Sequence, residues 1–490
     1  MLNDRGGIMN SSSRRDFLKL SVLELAGGSV LAGGQRNKAK ADNTAPRVMR
    51  EPSQLLPVFA EADICVLGGS CTGVFAAIRA AQLGAKVVLL EKQNSFGGTA
   101  TNSMVNVWHS LMDTGFKQQI IAGLTLEVIE RLKKRGAVRV DRGSPSVGCS
   151  FNSDEMKIEL DEMVKEAEVK PYLHTFFSMP YVRDGHLEAV IVENKSGRGV
   201  IKARVFVDAT GDADLCYRLG LNTYTREHLQ PPTTCARFSG WNSVGSAFSQ
   251  LFREHSEEFE VPLGFVWGRG VPGSDVYMLA GTRVYGVDCS NAEQLTKAEM
   301  EGRRQVRAFM DMIRKYVPES NVVLQALPSQ IGIRETRHVK CQYQIKGDDI
   351  LYGKRFKDAI ANGSYRVDIH HQDKPGLTFK YLDGTQYYNR PGYPPVKGRW
   401  RKETKTNPTF YQIPFRSLVP GKYGNLIVAG RMLDADLVAF SAVRVMVNMN
   451  QTGEAAGTAA YLALESNTPI PKLNVAKIRK ILAERGSVVI

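Results

Sequence analysis

The 490-residue sequence has no C-x-x-C pair and no C-x-x-C-H haem site, and its seven cysteines (65, 71, 149, 216, 235, 289 and 341) are scattered. An odd, dispersed set argues against a disulfide framework and yields no metal constellation; it reads as small buried residues. Acidic residues are in deficit, 50 against 64 lysines and arginines, for a formal charge of +14. No zinc-finger spacing or RNA-binding signature accompanies that excess, which argues against nucleic acid as a partner. The one denser basic run, Lys397 to Lys405, reads as a solvated loop, with a basic mouth for acidic substrates as the alternative. Internal repeats and low-complexity tracts are also lacking. What is present is ordinary globular material, 43% hydrophobic and 23% charged, enough for a sizeable core. The length suits two or three domains, or one large domain with an elaborate insertion.

Residues 1–41 read as an address. Ser13-Arg14-Arg15-Asp16-Phe17-Leu18-Lys19 matches the twin-arginine export pattern, followed by a modestly apolar stretch and the small-x-small site Ala39-Lys40-Ala41. The stretch is too short and too polar to span a bilayer permanently. The expectation is a periplasmic or otherwise extracytoplasmic protein, passed folded through the twin-arginine machinery, where no free NAD(P)H pool exists. Residues 42–60 read as a linker.

The mature chain opens with an apolar strand at Asp63–Leu67, a glycine turn, a helix with a small inner face (Ala76, Ala77, Ala80, Ala81) and a second strand at Lys86–Leu90. This is one βαβ unit of about thirty residues, the context a dinucleotide fingerprint requires. Asn152 with Glu155 marks a helix start, and Met156, Leu160, Met163 and Val164 share its apolar face. Residues 172–207 alternate as a β-meander with turns at Asp184-Gly185 and Ser196-Gly197. Regular alternation then fades between about 220 and 410, apart from a helix near 291–315. Asn425–Ala429 is again a buried strand, followed by Gly430-Arg431 and a long helix to about Glu465. The expected parts are residues 61–219 and 411–470 for one nucleotide-binding domain, 220–410 for an inserted substrate domain, and 471–490 for a tail.

The turn "VLGGSCTG" departs from G-x-G-x-x-G because Ser70 stands at the central glycine. Gly68 permits the tight exit from the strand and Gly73 lets helix and strand pack closely, while exposed N–H groups at the helix start favour a pyrophosphate. Glu91, 23 residues after Gly68, can accept from ribose hydroxyls and disfavours a 2′-phosphate. The stripe Gly453, Ala456, Gly457 and Ala460 implies close helix packing, to which a close backbone approach to a ligand can be added.

With Gly97-Gly98-Thr99 six residues past Glu91, "DATGDADL" at 208–215, "IGIRETRHV" at 331–339, "FYQIPFRSLVP" at 410–420 and "NLIVAGR…SAVRVMVNMNQTGEAAGTAA", the chain resembles the bacterial FAD-dependent oxidoreductases. These are two-dinucleotide-binding-domain flavoproteins allied to the fumarate reductase and glutathione reductase groups. The resemblance runs from about Ala62 to Leu464 and implies an α/β fold: a Rossmann-like FAD-binding domain of parallel sheet plus β-meander, with an inserted α+β substrate domain. It implies FAD as cofactor, held by Gly68, Gly69, Ser70, Thr72, Gly73, Glu91, Lys92, Gly97, Gly98, Thr99, Thr210, Gly211, Asp212, Gly430, Arg431, Thr452 and Gly453. Many relatives carry a histidine after the glycine-arginine pair and a cysteine on the next helix; here Leu437 and Met449 stand in those places. Asp434 and Asp436 are candidate substitutes for proton handling.

The catalytic candidates are His109, Arg334 and Arg444, with Arg337 beside them. His109 is a base, a covalent flavin anchor or a packed residue; Arg334 contacts substrate or pairs with Glu335; Arg444 meets a flavin or substrate oxygen or is structural. His370-His371 reads as a solvated turn. The expected activity is oxidation of a small organic substrate at a C–H next to oxygen or nitrogen. A quinone, cytochrome or O2 would then take the electrons, because the chain carries no second nucleotide fingerprint. Two alternatives stand: reduction of an activated alkene in the manner of fumarate reductase, and a non-catalytic flavin- or substrate-binding export protein.

Overall fold

The strand Val58–Leu67 (β1) ends in four fully buried residues and runs straight into Gly68. Its neighbour Val87–Leu90 (β2) is buried throughout, and the two pair in parallel with Ile64 opposite Val87 and Leu67 opposite Leu90. Burial on both faces is what a parallel sheet covered by helices demands, and it explains the unbroken apolar runs. The helix Cys71–Gln82 (α1) connects them. The computed structural model describes residues 48–141, 143 and 147–490; the twin-arginine segment lies outside the described residues.

Lys170–Tyr172 (β3) adds in parallel beside β2, and Gly197–Asp208 (β6) adds in parallel on the other side of β1. Phe176–Arg183 (β4) and His186–Asn194 (β5) form the antiparallel meander that leads into β6. Asp184 and Gly185 both take positive φ, 48° and 76°, the conformation a two-residue hairpin turn requires. β1 begins at Val58, inside the stretch expected to be linker, because β6 supplies ladder partners from Val58↔Val200 onward. The helix Ser153–Glu166 (α2) starts where Asn152 accepts from the N–H groups of Asp154 and Glu155, and its four expected apolar residues are all buried.

The middle of the chain makes a second layer. Cys235–Ser239 (β7), Trp267–Gly270 (β8), Tyr277–Ala280 (β9) and Val323–Ala326 (β10) form an antiparallel sheet in the order β8-β9-β7-β10. The helix Ala292–Tyr316 (α3), capped by Asn291, packs its Phe309, Met312 and Ile313 into a core with Phe238, Trp241, Phe248 and Phe252. That separate core ends near Val322. Residues of the expected insertion beyond it, such as Ile345, Ile360 and Val367, belong to the main core instead. Val367–His370 (β11), Leu377–Lys380 (β12), Thr385–Asn389 (β13) and Val396–Arg399 (β14) form a second antiparallel meander. The basic run from Lys397 falls on its last strand and the loop after it, both largely exposed.

Leu426–Val428 (β15) returns to the first sheet and pairs in parallel with Phe206–Asp208. The long terminal helix is two helices, Leu437–Val443 (α4) and Met446–Glu465 (α5), broken at Arg444 and Val445. α5 lies against α1 at backbone contact: a Cβ on Gly453 would stand 2.1 Å from the Thr72 carbonyl oxygen, and one on Gly457 2.1 Å from that of Ala76. Residues 471–490, expected to be a tail, contain a helix at Val475–Glu484 whose Ile478 and Leu482 sit in the main core. The compact unit runs from Leu56 to Ile490, and among the described residues no helix is long and apolar enough to cross a membrane.

Candidate active site

Three ends of buried strands converge at the carboxyl edge of the parallel sheet, the usual place for a ligand in an open α/β fold. After β1, Gly68 takes φ +101°, and any Cβ there would stand 2.4 Å from the Ala209 carbonyl oxygen at the end of β6. Gly73 is equally constrained, since its Cβ would meet the Gly68 oxygen at 1.8 Å. After β2, the buried Glu91 carboxylate accepts from the N–H groups of Gly69 at 2.6 Å and Gln93 at 2.7 Å. Burial raises its pKa, against the pull of those N–H groups. Glu91 therefore braces the glycine turn, in addition to any ribose contact.

Ser70 is the N-cap of α1, and its hydroxyl makes no cap bond. Gly97 approaches it closely: its N–H donates to the Gly69 oxygen at 2.8 Å, and a Cβ on Gly98 would stand 2.8 Å from the Ser70 Cβ. After β6, Thr210 donates to Asp208 and accepts from the Asp214 N–H, which shapes the turn at Gly211. Asp212 accepts from Thr336 at 2.7 Å and Arg431 at 2.5 Å. Thr452 holds Gly430 by accepting its N–H at 3.1 Å.

These turns border a cavity of about 440 Å³. Of the residues implied for the cofactor, Ser70, Thr72, Gly97, Thr99, Gly211, Gly430 and Arg431 line it. The rest stand one layer behind: Gly68, Gly69, Gly73 and Gly98 by close packing, Glu91, Thr210, Asp212 and Thr452 by hydrogen bonds, and Lys92 through its charge toward Asp212. Gly453 belongs to the α1–α5 contact, so the small-residue stripe is occupied by helix packing and brings no backbone to the cavity. The N-terminus of α5 does reach it, through Val445 and Met446, with Met449 and Asn450 one turn on. A glycine-walled turn, a helix start with a free capping hydroxyl, and a second helix start on the same cavity are the features a dinucleotide with an anionic pyrophosphate needs. The residues fit FAD.

His109, Arg334 and Arg444, expected from sequence as chemistry-bearing, all line this cavity. The His109 ring lies 4.0 Å from that of Tyr365, and its Nδ1 has no partner among the described residues. Burial, with Arg366 and Arg444 nearby, pushes its pKa down to about 3, so the ring is neutral. Arg334 does not pair with Glu335. Glu335 is taken up by Arg226 and the Gln230 N–H. Arg334 instead donates to the Pro231 carbonyl and to Thr233 Oγ1. Arg337 does not line the cavity; it is bonded to Asp214 at 2.6 Å and lies over the Tyr217 ring. Asp434 and Asp436 are structural: the first accepts from Tyr224, Gln344 and the Cys341 N–H, the second caps α4.

The largest difference concerns the histidine pair. His370 is no solvated turn; it lies on β11, lines the cavity, and faces Asp368 with Nε2 3.3 Å from Oδ1. Asp368 also accepts from the Tyr365 hydroxyl at 3.0 Å and pairs with Arg444 at 3.5 Å. Burial works to raise the Asp368 pKa, but His370, Arg444 and Arg366 outweigh it and hold the carboxylate ionised. Burial likewise drives the His370 imidazolium down, to about 3, despite Asp368. His371 points elsewhere, to Thr378 Oγ1 at 2.8 Å. Arg366, Asp368 and His370 share one face of the strand by period-two alternation, while Val367 and Ile369 enter the core. That alternation was the available signal in "YRVDIHH".

Among known proteins, a family model described as FAD dependent oxidoreductase matches residues 63–482. The mitochondrial dihydrolipoyl dehydrogenase of Schizosaccharomyces pombe is 33% identical over 86 residues, a stretch that covers 15% of this chain and 17% of that protein. A solved geranylgeranyl bacteriochlorophyll reductase-like protein from Thermoplasma acidophilum is 12% identical over 87% of this chain and 84% of its own, with a TM-score of 0.44. The myxobacterial chondrochloren halogenase is 12% identical over 87% and 80%, with a TM-score of 0.41. With the family model spanning nearly all of the described unit, the chain belongs to the FAD-dependent oxidoreductase family and is an FAD-dependent enzyme.

Proposed function

We propose that this enzyme is an exported dehydrogenase or oxidase that oxidises a small organic substrate at a C–H next to oxygen or nitrogen, with a non-nicotinamide electron acceptor. The observation that carries this reading is the Asp368–His370 pair on the cavity that Ser70 and Gly97 also line. FAD, when bound, supplies two-electron redox chemistry. Removing a hydride equivalent from an alcohol or amine carbon leaves an O–H or N–H proton that must go to a base. We assign that role to His370, whose Nε2 stands 3.3 Å from Asp368 Oδ1: in the tautomer that carries its proton on Nε2, Nδ1 is the acceptor, and Asp368 stabilises the charge that develops on the ring. Tyr365 and Arg444 hold Asp368 in place. His109 and the apolar Val105, Val107 and Trp267 line the same space.

The test is anaerobic bleaching of the FAD-loaded protein against a panel of sugars, amines and hydroxy acids, followed by reoxidation with a quinone analogue or NAD+. Bleaching by one class and reoxidation by the quinone alone is expected; no bleaching by any member overturns the reading. Acid precipitation of the same sample reports whether His109 holds the flavin covalently. Export through the twin-arginine route is supported by the Ser13–Lys19 pattern. Lysines in place of Arg14 and Arg15 are expected to leave the precursor inside the cell, and unchanged export would remove that part of the proposal.

A further inference from the structure

The cavity is electrically lopsided. Among the described residues, five arginines line it, at 269, 334, 366, 431 and 444, against one carboxylate, Asp368. Arg431 has its charge paired with Asp212, and Arg444 already shares Asp368. Arg334 is different. Its guanidinium is oriented by two neutral acceptors, the Pro231 carbonyl and Thr233 Oγ1, and forms no ion pair among the described residues. Both neighbouring histidines are neutral, and Arg444 and Arg283 lie close enough to depress its pKa, after burial itself, to about 9. A buried cation held in a fixed orientation, with like charges nearby and no ion pair among the described residues, is stabilised by an anion that can reach it. A planar carboxylate matches the guanidinium fork.

The remaining wall is apolar and aromatic, from Phe265, Trp267, Leu377 and Phe379. The Arg366 guanidinium lies over Phe379, 3.9 Å from its ring centre. Such a surface takes a ring or short hydrocarbon body and leaves polar recognition to a few fixed groups.

We propose that the substrate is a carboxylic acid with an apolar or ring-bearing body, its carboxylate held by Arg334 and its body against Phe265, Trp267 and Phe379. The inference rests on the oxidoreductase reading of the same cavity and deepens it. Arg334 follows Gly332, which bridges Thr233 just before β7, and is bonded to that Thr233, whereas the dinucleotide turn and the Arg431–Asp212 pair sit at the end of the first sheet. The anion on Arg334 is therefore the substrate's and not a cofactor phosphate.

Binding is measured without turnover, by isothermal titration of the FAD-loaded protein with benzoate, phenylacetate and hexanoate, and with benzamide, phenylacetamide and hexanamide. At least one acid is expected to bind ten-fold or more tightly than its amide. Arg334→Gln should weaken that acid at least ten-fold with FAD content and flavin spectrum unchanged, and Arg334→Lys should retain part of the affinity. Three outcomes would overturn the proposal: acids and amides binding alike, no acid binding at all, or loss of FAD from both Arg334 variants. Failure of the redox reading looks different, since acids would still bind through Arg334 while no substrate bleached the flavin.

Discussion

Ser70 stands where the fingerprint has its central glycine, and its Cβ occupies the space that a side chain on Gly98 would need. The serine and the second glycine of the doublet are thus one packing decision. Gly98→Ala is expected to lower FAD affinity at least ten-fold, through this contact and through its φ of +56°, which costs a non-glycine residue about 1 kcal/mol. Ser70→Gly added to it should recover most of the loss, measured as FAD dissociation by fluorescence; no recovery would mean that strain alone acts. Asp368 is argued at the same scale. Asp368→Asn keeps the shape but removes the charge that steadies His370, so turnover is expected to fall about 100-fold with FAD content unchanged. An undiminished rate would show that the proton leaves by another group.

At the scale of elements, the contact between α1 and α5 decides where the dinucleotide turn sits, because both helices meet at glycine with no side chain between them. Gly457 lies one turn beyond Gly453, away from the cavity, and opposes the Ala76 carbonyl. Gly457→Ala forces the helices apart against a close-packed interior, and an overpacked position of this kind costs about 1–3 kcal/mol. Chemical denaturation should show that loss while the surviving folded protein retains FAD. A stability equal to the parent's would mean that the helices separate freely. The break between α4 and α5 at Arg444 and Val445 has a similar role: it places the α5 N-terminus and the Arg444 side chain on one cavity.

For the whole molecule, the buried histidines set how stability follows pH. His109 and His338 are each held near a pKa of about 3, chiefly by burial, against about 6.5 in an unfolded chain. Between those values the unfolded chain binds more protons, so stability is fully present above pH of about 6.5 and falls as the pH drops toward 3. Each histidine contributes a slope of at most about 1.4 kcal/mol per pH unit. Urea midpoints measured from pH 7 to 4 should decline, and His338→Gln should flatten the decline. The His338 Nδ1–H donates to the Leu433 carbonyl and Nε2 accepts from Arg226, so a steeper decline in the variant would point to lost hydrogen bonding as the larger effect.

Local chemistry was enough to read the strand–glycine–helix–strand unit, the meander with its Asp184-Gly185 turn, the Asn152 cap and the positions of His109, Arg334 and Arg444. Each follows from periodicity, turn residues or spacing along a short stretch, where the interactions that decide are between near neighbours. The sequence by itself therefore determined the sheet, the cofactor turn and the excess of positive charge. It did not determine where that charge goes. Tertiary structure left the Lys397–Lys405 run exposed and gathered arginines from 269 to 444 on one cavity, from a strand of the second layer, two loops, the start of β11 and the break between α4 and α5. Pairing of β11 with β12 turned His370 inward beside Asp368, and Arg226 with the Gln230 N–H drew Glu335 away from Arg334. A side chain's facing depends on partner strands that no local pattern names, and only the folded chain supplies them.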